Sequence, residues 1–86
     1  MKLQLRYFAS LREALGPGET LEWSPPETAA TAGALRHFLR ARSDVHEQAL
    51  APGRAVRVAV DQTLADESAT LRDGAEVAFF PPVTGG

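Results

Sequence analysis

Little in this sequence carries reactive chemistry, and what does stands at its end. The segment FFPPVTGG, residues 79 to 86, finishes on Gly85 and Gly86. A diglycine has no Cβ atoms, so it is the thinnest and most permissive peptide available. It suits entry into a narrow channel with a carboxylate presented at the bottom. That carboxylate ionises above a pKa of about 3.3–3.7 and is then a poor electrophile. The sequence contains no cysteine, no glycine-rich phosphate loop and no evident acid–base pair with which to activate it. An acyl-adenylate on Gly86 therefore calls for a partner that uses ATP. Once activated, the group can take a sulfur or join an amine. The chain is then a carrier with no catalytic set of its own and no cofactor of its own.

Other candidates read more simply. His37 and His46 have no cysteine beside them, and a structural metal needs about four N or S ligands. Both read as solvated helix histidines, and no metal site is expected. Arg40 and Arg42 suit the negative end of a helix dipole. Asp61, Asp66, Glu67 and Asp73 lack the alternation of a calcium loop and read as loop carboxylates.

The elements that must position this tail are legible from period and punctuation. Residues 2–8, KLQLRYF, alternate as a half-buried strand. Ser10 and Glu13 have capping-box spacing, with Leu11 and Leu15 apolar and Gly16-Pro17 as a stop, which predicts a short helix. Residues 19–23, ETLEW, form a second strand, and Ser24-Pro25-Pro26 ends it. Residues 31–42 are the main helix, with Thr31 as N-cap, Leu35, Phe38 and Leu39 as buried stripe, and Arg36, Arg40 and Arg42 outside. Asp44 and Glu47 repeat the capping spacing, so a short helix through Leu50 is expected before Ala51-Pro52-Gly53 breaks it. Residues 55–60 are a strand, 62–71 irregular with a short strand, and Asp73-Gly74 a turn before a last strand at 75–80. The expectation is an α+β domain over 1–80, a small mixed sheet with one main helix across one face. Residues 81–86 form an extended, flexible tail. Pro81 and Pro82 favour a polyproline exit directed away from the sheet, and six extended residues reach roughly 20 Å.

Composition is that of an ordinary globular chain: 44% hydrophobic, 23% charged, formal net charge −2. That charge offers no general attraction for nucleic acid or an acidic membrane. No apolar run approaches a span, no signal peptide is visible, and the lack of cysteine is compatible with a reducing cytoplasm.

Strand alternation assigns the two faces of the sheet. Leu3, Leu5, Tyr7, Val56, Val58, Val60, Val77 and Phe79 lie under the helix. Gln4, Arg6, Phe8, Arg57, Ala59, Glu76, Ala78 and Phe80 lie on the other side. Phe8 and Phe80 are out of place on a solvent face. Either the short helix after Phe8 or the loop after Asp61 covers them, or they form a docking patch, as contiguous exposed apolar surface usually does. The patch is the expectation. Leu64 extends it or tucks beneath its own loop. Trp23 reads as a core-edge residue.

Residues 61–86, DQTLADESATLRDGAEVAFFPPVTGG, together with YFASLREALG at 7–16, resemble the molybdopterin synthase small-subunit family. Its members are MoaD-like sulfur carriers with a ubiquitin-like β-grasp fold. The resemblance spans nearly the whole chain, and DGAEVAFFPPVTGG is its most specific part. It implies that an E1-like adenylyltransferase activates Gly86 with ATP and that a sulfur donor protein converts the adenylate to a thiocarboxylate. It further implies that the tail, through Pro81, Pro82, Val83, Thr84 and Gly85, enters the large subunit of a cytoplasmic heterotetramer. Sulfur would pass there to cyclic pyranopterin monophosphate, on the way to the molybdenum cofactor. Phe8, Leu64 and Phe80 match the family's hydrophobic contact positions, and Arg12 matches a basic position that helps hold the partner. Asp61 stands where the family usually has Asn. Two other roles share these features. One is sulfur carriage to thiamine or tRNA; the other is a ubiquitin-like protein modifier, with Lys2 the single lysine here.

Overall fold

The computed structural model describes residues 1–82. Val83, Thr84, Gly85 and Gly86, expected to carry the tail's chemistry, lie outside the described residues. Among the described residues, five strands form one mixed sheet: β1 (Lys2–Tyr7), β2 (Gly18–Glu22), β3 (Arg57–Val60), β4 (Thr63–Ala65) and β5 (Glu76–Phe80). Their spatial order is β2-β1-β5-β3-β4. The central pair, β1 and β5, runs parallel, with Leu5 beside Val77 and Tyr7 beside Phe79. The other pairings are antiparallel. This is the ubiquitin-like β-grasp arrangement, α+β as expected.

Among the described residues, three helices connect the strands, α1 (Ala9–Leu15), α2 (Ala32–Arg40) and α3 (Asp44–Ala49), with a 3-10 turn at Glu27–Ala29. α2 starts where Thr31 was expected to cap it, its hydroxyl accepting from the Ala34 N–H at 3.2 Å. Ser43, not Asp44 as the capping spacing implied, caps α3, its hydroxyl accepting from the His46 N–H at 3.1 Å, and Asp44 is the first helical residue. The first helix departs from expectation. Ser10 lies inside α1 and caps nothing; Phe8 occupies the N-cap position without a side-chain cap. The cause is Ala9, whose φ of +53° turns the chain sharply at the end of β1 and starts the helix early.

The core joins the sheet face Leu3, Leu5, Tyr7, Val58, Val77 and Phe79 to Ala32, Leu35 and Leu39 of α2. Leu11 of α1, Ala49 and Leu50 at the end of α3, and Leu21, Trp23, Leu71 and Ala75 also belong to it. Each large apolar side chain buried this fully contributes roughly 1.5–3 kcal/mol. Val56 and Val60 pack against the cluster but stay partly exposed. Trp23 is buried at the edge, tilted against Phe38 with ring centroids 5.9 Å apart.

Two assignments on α2 reverse. Phe38, expected in the buried stripe, is 39% exposed, and Arg36, expected outside, is 6% exposed. The buried positions Ala32, Leu35, Arg36 and Leu39 follow i, i+3, i+4, i+7, so helical geometry outweighs residue type here.

Candidate functional site

The outer face of the sheet is built by register. Arg6 lies beside Ala78, Ala59 faces Ala78, Arg57 faces Phe80, and Leu64 faces Ala59. Directly opposed residues share a face, so these side chains form one surface away from the helices. A shallow groove of about 430 Å3 runs across it, with Ala59 and Ala78 at its floor and Phe8, Phe80 and Gln62 among its walls. Arg6 and Glu76 join across it at 3.1 Å. This exposed ion pair is worth at most about 1 kcal/mol.

Phe8 reaches the groove because the chain extends one residue beyond β1. Its N–H donates to the Phe79 carbonyl at 3.2 Å, and its own carbonyl accepts from Leu11 and Arg12 of α1. The ring is 45% exposed, so α1 does not cover it. Phe80 is half-buried, and Leu64 is 61% exposed rather than tucked under its loop. Neither α1 nor the loop after Asp61 covers this face, so it stands open.

The turn after β3 brings Gln62 into the lining of the groove. Asp61 and Gln62 both take positive φ, +49° and +67°, giving a two-residue hairpin between Val60 and Thr63. The Asp61 carboxylate accepts from the Glu76 N–H at 3.0 Å while the Asp61 N–H donates to the Glu76 carbonyl at 2.8 Å. An aspartate here thus makes the local turn contact, and it ties the turn to β5.

Arg12 is exposed on α1, one helical turn past Phe8. Pro81 and Pro82 remain half-buried after β5 and line a second shallow groove with Ser10, Leu11, Arg54 and Val56. The first two tail residues thus stay against the body of the domain instead of leaving it directly, as their stiffness had implied. The structure brings Phe8 and Phe80 together in the outer groove, with Leu64 exposed on the neighbouring strand, while Pro81 and Pro82 line a separate groove with Leu11, and Arg12 lines neither. Val83, Thr84, Gly85 and Gly86 lie outside the described residues.

The four carboxylates considered for calcium do not converge. Asp61 holds β5, Asp73 accepts from the Lys2 N–H at 2.6 Å, and Glu67 pairs with Arg36 at 2.8 Å. Asp66 accepts first from the Ser68 hydroxyl and second from the Ser68 N–H, which together hold its carboxyl below the usual range. Among the described residues, no three His, Cys, Asp or Glu groups stand close enough to share a metal. His46 lies at the start of α3, where burial first and Arg42 second lower its pKa. Neither histidine lines the groove. No helix among the described residues is long and apolar enough to cross a membrane.

The residue that sequence reasoning missed is Arg36. Its position in the buried stripe was the available signal, and its charge masked that signal.

The chain matches the ThiS family over residues 5–86. It is 44% identical, over 98% of its length and 99% of the relative's, to the molybdopterin synthase sulfur carrier subunit of Escherichia coli K12. It is 38% identical, with the same coverage, to the protein of that name from Haemophilus influenzae. Among solved structures, it is similar to a putative molybdopterin converting factor, subunit 1, from Pyrococcus furiosus. That likeness has a TM-score of 0.76 and 28% identity, over 96% of this chain and 99% of that one.

Proposed function

The chain belongs to the ThiS family and, within it, to the molybdopterin synthase sulfur carrier subunits, and from that premise we propose that Gly86 is its working group. A partner adenylyltransferase joins the Gly86 carboxylate to the AMP moiety of ATP, and pyrophosphate leaves. A donor protein's persulfide then attacks the adenylate and expels AMP, and a second thiol reduces the resulting acyl disulfide, leaving a C-terminal thiocarboxylate and a donor disulfide. The tail carries this group into the large subunit of molybdopterin synthase, in the cytoplasm. There the thiocarboxylate sulfur attacks a side-chain carbon of cyclic pyranopterin monophosphate and displaces an oxygen substituent from it. Water cleaves the resulting thioester, leaving the sulfur on the pterin and restoring the carboxylate. The chain supplies no catalytic side chain to either step; it supplies a handle and a reach.

The observation that carries this reading is the open apolar groove between Phe8 and Phe80. It adjoins β5, the strand that feeds directly into Pro81 and the residues beyond it. A partner seated on that groove holds the root of the tail in a fixed place. The remaining residues then have only a short distance to search, which raises the effective concentration of the terminal group at the partner's site.

Intact-mass analysis tests the proposal. Protein incubated with the adenylyltransferase, ATP and the sulfur donor should exchange one oxygen for sulfur on its C-terminal peptide. A chain with one residue added after Gly86 should not. The proposal is overturned if the extended chain acquires the sulfur without being trimmed, or if the native chain never acquires it.

A further inference from the structure

Among the described residues, Arg36 is the only buried charged side chain. A guanidinium removed from water is costly unless its N–H groups are matched. Here they are matched by two separate stretches of chain. Nε donates to the Leu50 carbonyl at 2.7 Å, and Nη2 donates to the carbonyls of Ala51 at 2.6 Å and Arg54 at 3.1 Å. Nη1 donates to the Glu67 carboxylate at 2.8 Å.

These partners bracket one element. Arg54 stands just before β3 and Glu67 just after β4, so a single side chain ties the segment entering the β3–β4 hairpin to the segment leaving it. The start of α2 reinforces the second tie. The Ala32 and Gly33 N–H groups, free of intrahelical partners at a helix start, donate to the carbonyls of Ala69 at 3.0 Å and Glu67 at 2.8 Å.

That hairpin carries the far half of the docking face: Ala59 and Gln62 in the groove, and Leu64 exposed beside them. Its outer strand, β4, is three residues long and lies at the edge of the sheet. Such a strand has ladder support on one side alone and opens readily. Phe8 and Phe80, by contrast, stand at the ends of the two central strands.

We propose that Arg36, acting through Glu67, is a positioning residue for partner docking. From the helix side of the sheet it sets the pose in which the hairpin presents Leu64 and Gln62 to the partner. This rests on the docking reading above.

The test is a calorimetric titration of the full chain against purified molybdopterin synthase large subunit, paired with amide exchange. Glu67→Ala acts at an exposed side chain and leaves Arg36 its three carbonyl acceptors, so the fold should stand. Exchange at Thr63–Ala65 should quicken about tenfold relative to Leu3–Leu5, and affinity should fall roughly 3–10-fold. Glu67→Gln, which keeps an acceptor oxygen, should recover most of the loss. Leu64→Ala should lose part of its own effect in the Glu67→Ala background, while Phe8→Ala costs the same in both. Unchanged affinity for Glu67→Ala, or strict additivity with Leu64→Ala, overturns the positioning role while Phe80→Arg still weakens binding. If Phe80→Arg and Leu64→Ala both bind like the native chain, the docking reading falls and takes this proposal with it.

Discussion

Tyr7 stacks on Phe79 with ring centroids 6.3 Å apart, and its hydroxyl is buried with no hydrogen-bond partner among the described residues. Burial disfavours the phenolate, Glu19 adds to the effect, and the pKa is pushed up to about 12. The folded state therefore holds this proton more tightly than the unfolded chain, in which tyrosine ionises near pH 10. Its stabilising effect is full below about pH 10 and disappears as pH rises through about 12, a loss of roughly 2–3 kcal/mol. Tyr7→Phe keeps the ring and removes the orphan hydroxyl. Stability at pH 7 should be unchanged or higher by up to about 1 kcal/mol, and the alkaline decline should flatten. Denaturant melts between pH 7 and 11 check both; a clear loss at pH 7 would mean the hydroxyl has a partner in solution. The same scale shows where residue type misleads. Arg36 and Phe38 were placed by their chemistry, and each sits where helical phase puts it instead. A buried arginine is legible only when its acceptors are known, and those come from residues 50 to 67.

Secondary-structure elements were the most readable part of the chain. Strand alternation located β1, β2, β3 and β5 to within two residues at each end, and Thr31 marked the start of α2. The corners were less readable, because Ala9, Asp61 and Gln62 adopt positive φ without the glycine that usually announces it. At the start of β2 that announcement is genuine. Gly18 has φ +145°, and a Cβ there would lie 2.0 Å from the Leu5 carbonyl oxygen of β1. Gly18→Ala must push β2 away from its neighbour or strain the turn after α1. The expected cost is about 2–4 kcal/mol, read as a fall of roughly 10 °C or more in Tm for a domain of this size. A Tm within a few degrees of the native value would show that this edge strand slides freely.

For the whole molecule, the sheet separates the core from the proposed docking groove. The helices and the apolar core occupy one face, and the groove of Phe8, Phe80 and the hairpin occupies the other. Phe80→Arg should therefore alter unfolding free energy by no more than about 0.5–1 kcal/mol. Binding to the large subunit should weaken by about 30-fold or more, the loss expected of a central apolar contact. Thermal melting and calorimetry on one preparation separate the two effects; a large loss of stability would place Phe80 in the core instead. The core face, the helix order, the outward phenylalanines and the resemblance of the tail were all determined by sequence alone. Period, turn residues and short motifs are local, and a few neighbouring positions suffice to read them. Tertiary structure alone decided that α1 leaves Phe8 open, that Pro81 and Pro82 lie against the domain, and that one arginine reaches both ends of the β3–β4 hairpin. Those outcomes depend on which distant carbonyls, carboxylates and side chains the fold brings within a few ångströms, and no local pattern encodes that distance.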